Sequence, residues 1–264
     1  MLREPREQRR DVADGGAREP ELVVDHIGGR IVWARPGKNA DTLKAFFAAL
    51  GPERGKKLEA VTIDMSAAYI KAVTEASPQA QIIFDRFHVQ RLVHDAVDQV
   101  RRDQVRAAET PEEKATVKHS RWALQKNPWN LTAVEEGKLV DLQRRNRPLF
   151  RAYLLKESLI AILDRAQVNV AERKLDEWLR WARRCRLAPF VRLAGTIDKY
   201  RVGILAYVAS GLNNGRVEGL NSKARTITRR AFGLHSAHAL IALLMLCCSG
   251  IELEPVTLTP GSTH

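Results

Sequence analysis

Residues 213–230 read NNGRVEGLNSKARTITRR, a run in which one acidic side chain stands among amides and cations. The turn formers Asn213, Asn214 and Gly215 favour the start of a helix. Apolar residues then recur at steps of three and four, which predicts an amphipathic helix. These residues are Val217, Leu220, Ala224 and Ile227.

One face of this predicted helix carries polar groups at positions i, i+3, i+4 and i+7. The residues are Glu218, Asn221, Ser222 and Arg225. A carboxylate, an amide, a hydroxyl and a guanidinium therefore share one side of the helix. Two interpretations fit this pattern. The face holds metal and phosphate, or it is the solvated side of an ordinary amphipathic helix.

Composition bounds the partners of the chain. Its 264 residues suffice for one large or two small domains, and 43 Lys and Arg against 31 Asp and Glu leave a net charge of +12. A polyanionic partner is therefore expected. No apolar run reaches the roughly 20 residues that span a bilayer, and the first ten residues are too charged for a signal peptide. We expect a cytoplasmic protein with no membrane partner.

The three cysteines are Cys185, Cys247 and Cys248, and they form no CxxC motif. Neither a disulfide framework nor a zinc site is indicated, and the cysteines are predicted to be buried apolar side chains.

The amino-terminal third begins with residues 1–20, which lack periodicity and are predicted to be a disordered leader. Two β-rich runs between Glu21 and Ala34 are separated by glycines, which predicts a hairpin. A helix over residues 42–50 is expected to be capped by Asp41 and to end at Gly51.

Two short apolar runs follow, one ending in Asp64 and one ending in Asp85, with a helical pattern between them. This order predicts a parallel βαβ unit with both aspartates at the carboxyl ends of its strands, where open α/β sheets gather ligands. Asp64 is the better candidate, because a carboxylate after a buried strand is costly unless it is paired, solvated or bound to metal. Asp85 has the alternative of pairing with Arg86 and capping the next helix.

Residues 89–210 are predicted to form an almost continuous helical block. Basic residues exceed acidic ones between Arg144 and Arg192, which indicates either a phosphate-binding surface or a solvated helical face. The tryptophans of this block are predicted to lie in the core rather than to stack on bases. They are Trp122, Trp129, Trp178 and Trp181. A strongly apolar helix over 237–248 is predicted to be buried, and residues 252–264 to be a tail.

The sequence resembles the DDE transposases of bacterial insertion sequences, and within them the ISL3 type. The matching stretches are VTIDMSAAYIKAV, FDRFHVQRLVHDAVDQVRR, NRPLFRAYLLKE and NGRVEGLNSKARTITRRAFGLHS. The resemblance implies an α/β fold in which an RNase H-like mixed sheet is interrupted by a large all-helical insertion, with most residues helical. Residues 21–88 and 211–251 would form the two parts of the core, and residues 89–210 the insertion.

The resemblance also implies a catalytic triad of two aspartates and a glutamate. Asp64 takes the place of the second aspartate and Glu218 that of the glutamate, and both would be metal ligands in a site for two Mg²⁺ or Mn²⁺ ions. The substrate would be double-stranded DNA, and a complete family member would be a homodimer. The implied DNA contacts are Arg216, Asn221, Lys223, Arg225, Arg229 and Arg230.

The sequence departs from the family at its amino-terminal end. In the family, a zinc-binding segment and a helix-turn-helix precede the catalytic domain, and the first aspartate lies on a strand before the hairpin. Neither the two DNA-binding segments nor that strand is visible in this sequence. Asp25 is an alternative first aspartate, although its hairpin context matches the family's second strand. We therefore expect an amino-terminally truncated, inactive copy. The rival interpretations are a non-catalytic basic DNA-binding remnant and a helical scaffold that binds neither DNA nor metal.

Overall fold

The computed structural model describes residues 20–37, 39–212, 215–230 and 236–250. The predicted tail and all but the last residue of the predicted leader lie outside these ranges. Most described residues are helical and two small sheets accompany them, so the predicted mixed α/β class with a helical majority is confirmed.

In chain order the elements are β1 (Pro20–Asp25), β2 (Arg30–Pro36), α1 (Ala40–Leu50), α2 (Pro52–Gly55), β3 (Ala60–Ile63), α3 (Ala67–Ala76), β4 (Gln81–Phe84), α4 (Arg86–Ala107), α5 (Pro111–His119), α6 (Arg121–Gln125), a 3₁₀ turn (Pro128–Asn130), α7 (Ala133–Arg145), α8 (Arg147–Leu163), α9 (Val168–Arg184), α10 (Ala188–Lys199), α11 (Arg201–Ser210), α12 (Gly215–Arg230) and α13 (Ala237–Cys248).

These elements fall into two compact units. The first unit contains the described residues up to Pro52 together with those from Gly215 onward, and the second contains those from Glu53 to Leu212. The βαβ unit therefore belongs with the helical block, whereas the hairpin belongs with α12 and α13. The predicted domain boundaries at residues 88 and 211 remain predictions.

The predicted hairpin is confirmed in the first unit. Strand β1 pairs antiparallel with β2, with Leu22 opposite Ala34 and a register shift between Val23 and Val24. In the turn, Oδ1 of Asp25 accepts from the backbone N–H of Ile27 at 3.0 Å and Oδ2 accepts from that of Gly28 at 3.0 Å. Such a bond pattern stabilises a tight turn. Both carboxylate oxygens of Asp25 thus serve the hairpin.

Helix α1 begins one turn after the hairpin, but its cap differs from the predicted one. The side chain of Asn39, and not that of Asp41, accepts a hydrogen bond from the backbone N–H of Thr42 at 2.9 Å. Asparagine is as good a cap as aspartate, so composition alone does not choose between the two positions. The predicted end at Gly51 is confirmed, and its φ of 77° is one that glycine adopts readily.

The first unit has a small core around Ile31 of β2, which is fully buried. Helix α13 contributes Leu240, Leu244 and Cys248 to this core at i, i+4 and i+8. The prediction that all of α13 packs inside is wrong, because only one stripe of the helix meets β2. Leu246 on another side is 46% exposed.

The predicted βαβ unit is confirmed in the second unit. Strands β3 and β4 are parallel, with Val61 opposite Ile82 and Ile63 opposite Phe84, and α3 connects them. In the described residues the four strands form two separate two-stranded sheets and not the one mixed sheet that the resemblance implies. The expectation of a single sheet is therefore not met, because β1 and β2 pair only with each other. An RNase H-like sheet remains a prediction.

Residues 89–210 are helical as predicted, and helices α4 and α7–α11 enclose the main core of the second unit. The prediction for the tryptophans is right for Trp178, which is 2% exposed, and wrong for the other three. Trp122, Trp129 and Trp181 are 64%, 72% and 38% exposed, because they lie on sides of their helices and turn that face away from the core. No helix in the described residues is both long and apolar enough to cross a membrane.

Two of the three cysteines are buried as predicted. These are Cys185 and Cys248, whereas Cys247 is exposed.

Helix α11 packs directly on β4 at Gly203. A Cβ atom there would lie 2.4 Å from Cδ2 of Phe84 and 3.0 Å from the carbonyl oxygen of Ile82. We predict that Gly203→Ala destabilises the protein by about 1–3 kcal/mol, the usual cost of overpacking a core. The matched control is Gly195→Ala in α10, where nothing lies within 4 Å of the new atom.

The control substitution should be neutral or stabilise the protein by up to about 1 kcal/mol, because alanine is the better helix former. Urea denaturation followed by circular dichroism measures both effects. Equal stabilities of the two variants would contradict close packing of α11 on β4.

Candidate metal and nucleic-acid site

Asp64 lies where the sequence predicts it, directly after the last residue of β3. Its side chain is partly buried, and Oδ1 accepts a hydrogen bond from the backbone N–H of Ser66 at 3.1 Å. This bond closes the turn that leads into α3 at Ala67. The carboxylate is thereby held in a defined orientation at the carboxyl end of the strand.

Asp85 occupies the equivalent position after β4. The last residues of the two parallel strands, Ile63 and Phe84, lie opposite each other. Asp64 and Asp85, which directly follow them, are therefore neighbours at the carboxyl ends of two strands that lie about 4.8 Å apart. Asp85 is 3% exposed. The structure thus brings the two carboxylates to one sheet edge, as the predicted βαβ unit requires. The choice of Asp64 over Asp85 as the site residue stays a prediction.

The predicted capping role of Asp85 is only partly right. Asp85 occupies the position that precedes α4, but its side chain makes no capping hydrogen bond to that helix. The guanidinium of Arg86 pairs with Asp164, with Nη1 and Oδ1 2.5 Å apart. The side chain that follows Asp85 therefore connects the sheet edge to the end of α8.

Glu218 lies on α12, as predicted. The side chains of Arg216, Val217, Glu218 and Asn221 lie outside what the structure describes. Glu218 belongs to the first unit and Asp64 to the second, so a shared site formed by the two carboxylates remains a prediction. Among the described side chains, no three His, Cys, Asp or Glu residues form a group that could hold a metal ion.

The amphipathic character of α12 is confirmed. Ala224 is buried, with Leu220 and Ile227 packed beside it in the core of the first unit. The predicted phosphate contacts that the structure describes are all exposed. They are Lys223, Arg225, Arg229 and Arg230.

Lys223 is exposed but also bonds to the neighbouring helix α13. Its Nζ donates a hydrogen bond to the carbonyl oxygen of Cys247 in the last turn of α13, at 3.2 Å. A cation at the end of a helix is favourable there because the last carbonyl groups lack partners within the helix. Arg225, Arg229 and Arg230 are therefore the better candidates for phosphate contacts.

The cations of the helical block divide into paired and exposed groups. Nη2 of Arg183 lies 2.6 Å from Asp198, and Nη2 of Arg201 lies 3.1 Å from Asp176. Arg144, Arg145 and Arg147, at the junction of α7 and α8, are exposed. Pairing lowers the capacity of an arginine to bind phosphate, so the exposed arginines are the remaining candidates for a phosphate-binding surface, which stays a prediction.

An ion-pair cluster on α4 illustrates the paired group. Arg101 and Arg102 both bond to Asp98, with nitrogen–oxygen distances of 2.7 Å. Burial raises the pKa of Asp98, but the hydrogen bonds and charges of the two arginines outweigh that effect and leave the pKa below its usual value. The single carboxylate of Asp98 therefore offsets part of the charge of these two cations.

Asp64 at the end of a strand, a long helical block and a helix that carries Glu218 are features that the DDE resemblance implies. Residues 13–244 match the family of ISL3-type DDE transposases, whose description reads "Transposase". The chain belongs to this family, and the resemblance seen in the sequence is confirmed.

Curated relatives agree with the family. The chain is 39% identical over 251 residues to the transposase for insertion sequence element IS1557 of Mycobacterium tuberculosis, in strains CDC 1551 / Oshkosh and ATCC 25618 / H37Rv. That alignment covers 87% of this chain and 56% of the relative. Identity to the transposase for insertion sequence element IS1001 of Bordetella parapertussis is 34% over 220 residues, which covers 83% and 54% of the two chains.

The chain thus spans about half the length of the curated relatives it matches. No solved structure matches it.

Proposed function

We propose that this chain is the catalytic part of a transposase, an enzyme class that cleaves DNA and transfers strands in a metal-dependent reaction, and that the chain by itself supports no strand transfer. The observation that carries the proposal is the position of Asp64, fixed at the carboxyl end of β3 next to Asp85, in a member of a DDE transposase family. The relatives are named as transposases for insertion sequences, which supports the same reaction.

Asp64 and Glu218 are the residues that would hold Mg²⁺ or Mn²⁺. Carboxylates are hard oxygen ligands, which these cations prefer. When bound, divalent ions would activate a water or a 3′-hydroxyl as the nucleophile and stabilise the leaving oxygen of a phosphodiester. The RNase H-like sheet and a homodimer belong to this proposal as well.

The residues of the sheet edge suit that task. The Ser66 N–H orients the carboxylate of Asp64, and Asp85 on the neighbouring strand places a second carboxyl group at the same edge. Two such groups at one edge attract a cation more strongly than one.

The exposed guanidinium groups of Arg225, Arg229 and Arg230 would bind phosphates of the DNA, with Lys223 beside them. Arg216 and Asn221 complete the proposed DNA contacts. Arginine suits this role because its planar group binds phosphate oxygens in pairs.

A second candidate function is a basic DNA-binding protein without catalysis. The net charge of +12 and the exposed cations of α12 favour DNA binding by themselves and require no metal. Metal-dependent nicking of plasmid DNA separates the two functions, because a binding protein leaves the plasmid intact.

The first prediction from the proposed site concerns metal affinity. Asp64→Asn and Glu218→Gln should each weaken Mn²⁺ binding by more than about tenfold, since even residues that merely orient a metal ligand contribute about that much. The control is Asp176→Asn, whose carboxylate lies 3.1 Å from Arg201 in the helical block. Titration calorimetry measures all three affinities, and equal losses in the three variants would contradict the assignment.

The second prediction concerns DNA affinity. We expect sequence-independent binding to duplex DNA that falls steeply with salt, because bound phosphates release counterions. The double variant Arg229→Ala/Arg230→Ala should reduce the slope of log affinity against log salt by about 2. Fluorescence anisotropy between about 50 and 200 mM salt measures the slope.

The control for this prediction is the double variant Lys56→Ala/Lys174→Ala. It removes the same charge, but each lysine is paired, Lys56 with Glu53 at 2.9 Å and Lys174 with Glu177 at 2.7 Å. The hydrogen bond from Lys174 lowers the pKa of Glu177, as expected for a formed pair. An equal change of slope in both double variants would assign the binding to net charge and not to α12.

A third prediction concerns strand transfer by this chain. The resemblance implies three carboxylates and assigns only Asp64 and Glu218, so the metal site of this chain is expected to be poorly held and to support no strand transfer. A donor DNA incubated with the chain and Mg²⁺ tests this, with joined products scored by electrophoresis. Efficient joining would show that another carboxylate, with Asp25 as the first candidate, completes the triad.

A further inference from the structure

Trp129 is 72% exposed, although it lies in a chain segment that is held in place on both sides. It belongs to the 3₁₀ turn Pro128–Asn130, between α6 and α7. Tryptophan is the largest apolar side chain, and leaving it in water forfeits the stabilisation that burial supplies to Trp178 in the same unit. The indole of Trp129 is thus open to a ligand.

Trp129 borders a cavity of about 310 Å³. The cavity is also lined by Glu157, Ile160, Ala161, Asp164 and Arg165, all from α8 or directly after it. Its volume lies at the lower end of the range for small-molecule sites, which suits one planar ring system. We call this space the Trp129 cavity.

The segment before the Trp129 turn is fastened by a buried lysine. Lys156 of α8 is fully buried, and its Nζ donates hydrogen bonds to the carbonyl oxygens of Leu124 at 2.9 Å and Lys126 at 3.1 Å. The same ammonium pairs with Glu157, a lining residue of the cavity. Burial lowers the pKa of Lys156, which reflects the cost of placing a cation there. That cost is offset by bonds that tie the turn to α8.

The segment after the turn is fastened as well. Thr132 and Glu135 form a capping box at the start of α7, and Nζ of Lys126 lies 2.7 Å from Glu135. Hydrogen bonds from Lys126 and Thr132 lower the pKa of Glu135 to about 2. Trp129 is therefore presented by a turn whose two flanks are anchored, so little conformational entropy is lost when a ligand packs on the indole.

One ion pair links the Trp129 cavity to the sheet edge that carries Asp64. Asp164 lines the cavity and pairs with Arg86, the residue that directly follows Asp85. Cavity and sheet edge thus lie in the same unit and are connected through this ion pair.

We propose that the Trp129 cavity receives one unpaired nucleobase of the bound DNA, stacked on the indole of Trp129. This inference rests on the proposed function. Aromatic side chains that are open to solvent bind bases of unpaired strands by stacking, whatever the base. Ile160 and Ala161 supply apolar contacts for the rest of the ring.

The lining of the Trp129 cavity offers hydrogen-bond acceptors to a base. Glu157 and Asp164 are paired with Lys156 and Arg86, but a carboxylate keeps further acceptor positions, which suit the exocyclic amino group of cytosine, adenine or guanine. Thymine has no such group and should bind there more weakly. Arg165 at the same cavity carries the charge that suits the adjoining phosphate.

The test compares two duplexes of the same sequence, one fully paired and one with a single extrahelical 2-aminopurine, which carries an exocyclic amino group. The full chain should bind the second duplex about tenfold more tightly, as stacking of one base implies, and should quench the 2-aminopurine fluorescence. Trp129→Ala should abolish the preference and the quenching, and leave affinity for the paired duplex within about twofold. Trp129→Phe should retain part of both effects.

The matched control is Trp122→Ala, which removes a tryptophan that is 64% exposed and lies outside the cavity. It should keep the preference unchanged. Paired-duplex binding without any preference in the unaltered chain would overturn this inference and leave the proposed function intact. Failure to bind either duplex would overturn both. An unchanged preference in Trp129→Ala, with weaker self-association in sedimentation, would show that Trp129 contacts protein and not a base.

Discussion

Parallel pairing of β3 with β4 is the constraint on which the proposed chemistry depends. Two four-residue strands in register bring Asp64 and Asp85 to one edge, although a whole helix separates them in sequence. The pairing is secured from the other side by Gly203, which lets the backbone of α11 lie directly against Phe84. A carboxylate edge of this kind is useful for metal chemistry only if its side chains keep their orientation, and the turn at Ser66 supplies that for Asp64.

A second constraint is the buried Lys156. A charge without water is expensive, and a buried ion pair is weak support for stability by itself. Its ammonium bonds to the carbonyl groups of Leu124 and Lys126 and pairs with Glu157, so the loop between α6 and α7 is tied to α8. The buried lysine therefore serves mainly to fix the position of this loop. It holds an exposed tryptophan beside a small cavity, and the ion pair of Arg86 with Asp164 connects the lining of that cavity to the sheet edge.

Charge on this protein is more local than the net value of +12 indicates. Arginines of α4 and α9 are paired with nearby aspartates, whereas the cations at the end of α12 and at the junction of α7 and α8 are exposed. A sequence reports the excess but not its full distribution, because some pairing partners come from distant parts of the chain. Arg183 with Asp198 and Arg86 with Asp164 are examples.

Local patterns in the sequence were sufficient for the hairpin, the βαβ unit, the helical block and the amphipathic face of α12, because strand and helix periods are written in neighbouring residues. They also sufficed for the family. Tertiary structure decided what depends on distant contacts: which stripe of α13 is buried and which tryptophans are exposed. Burial depends on what packs against a side chain, and that partner is set by the fold and not by the residue's own neighbours in sequence.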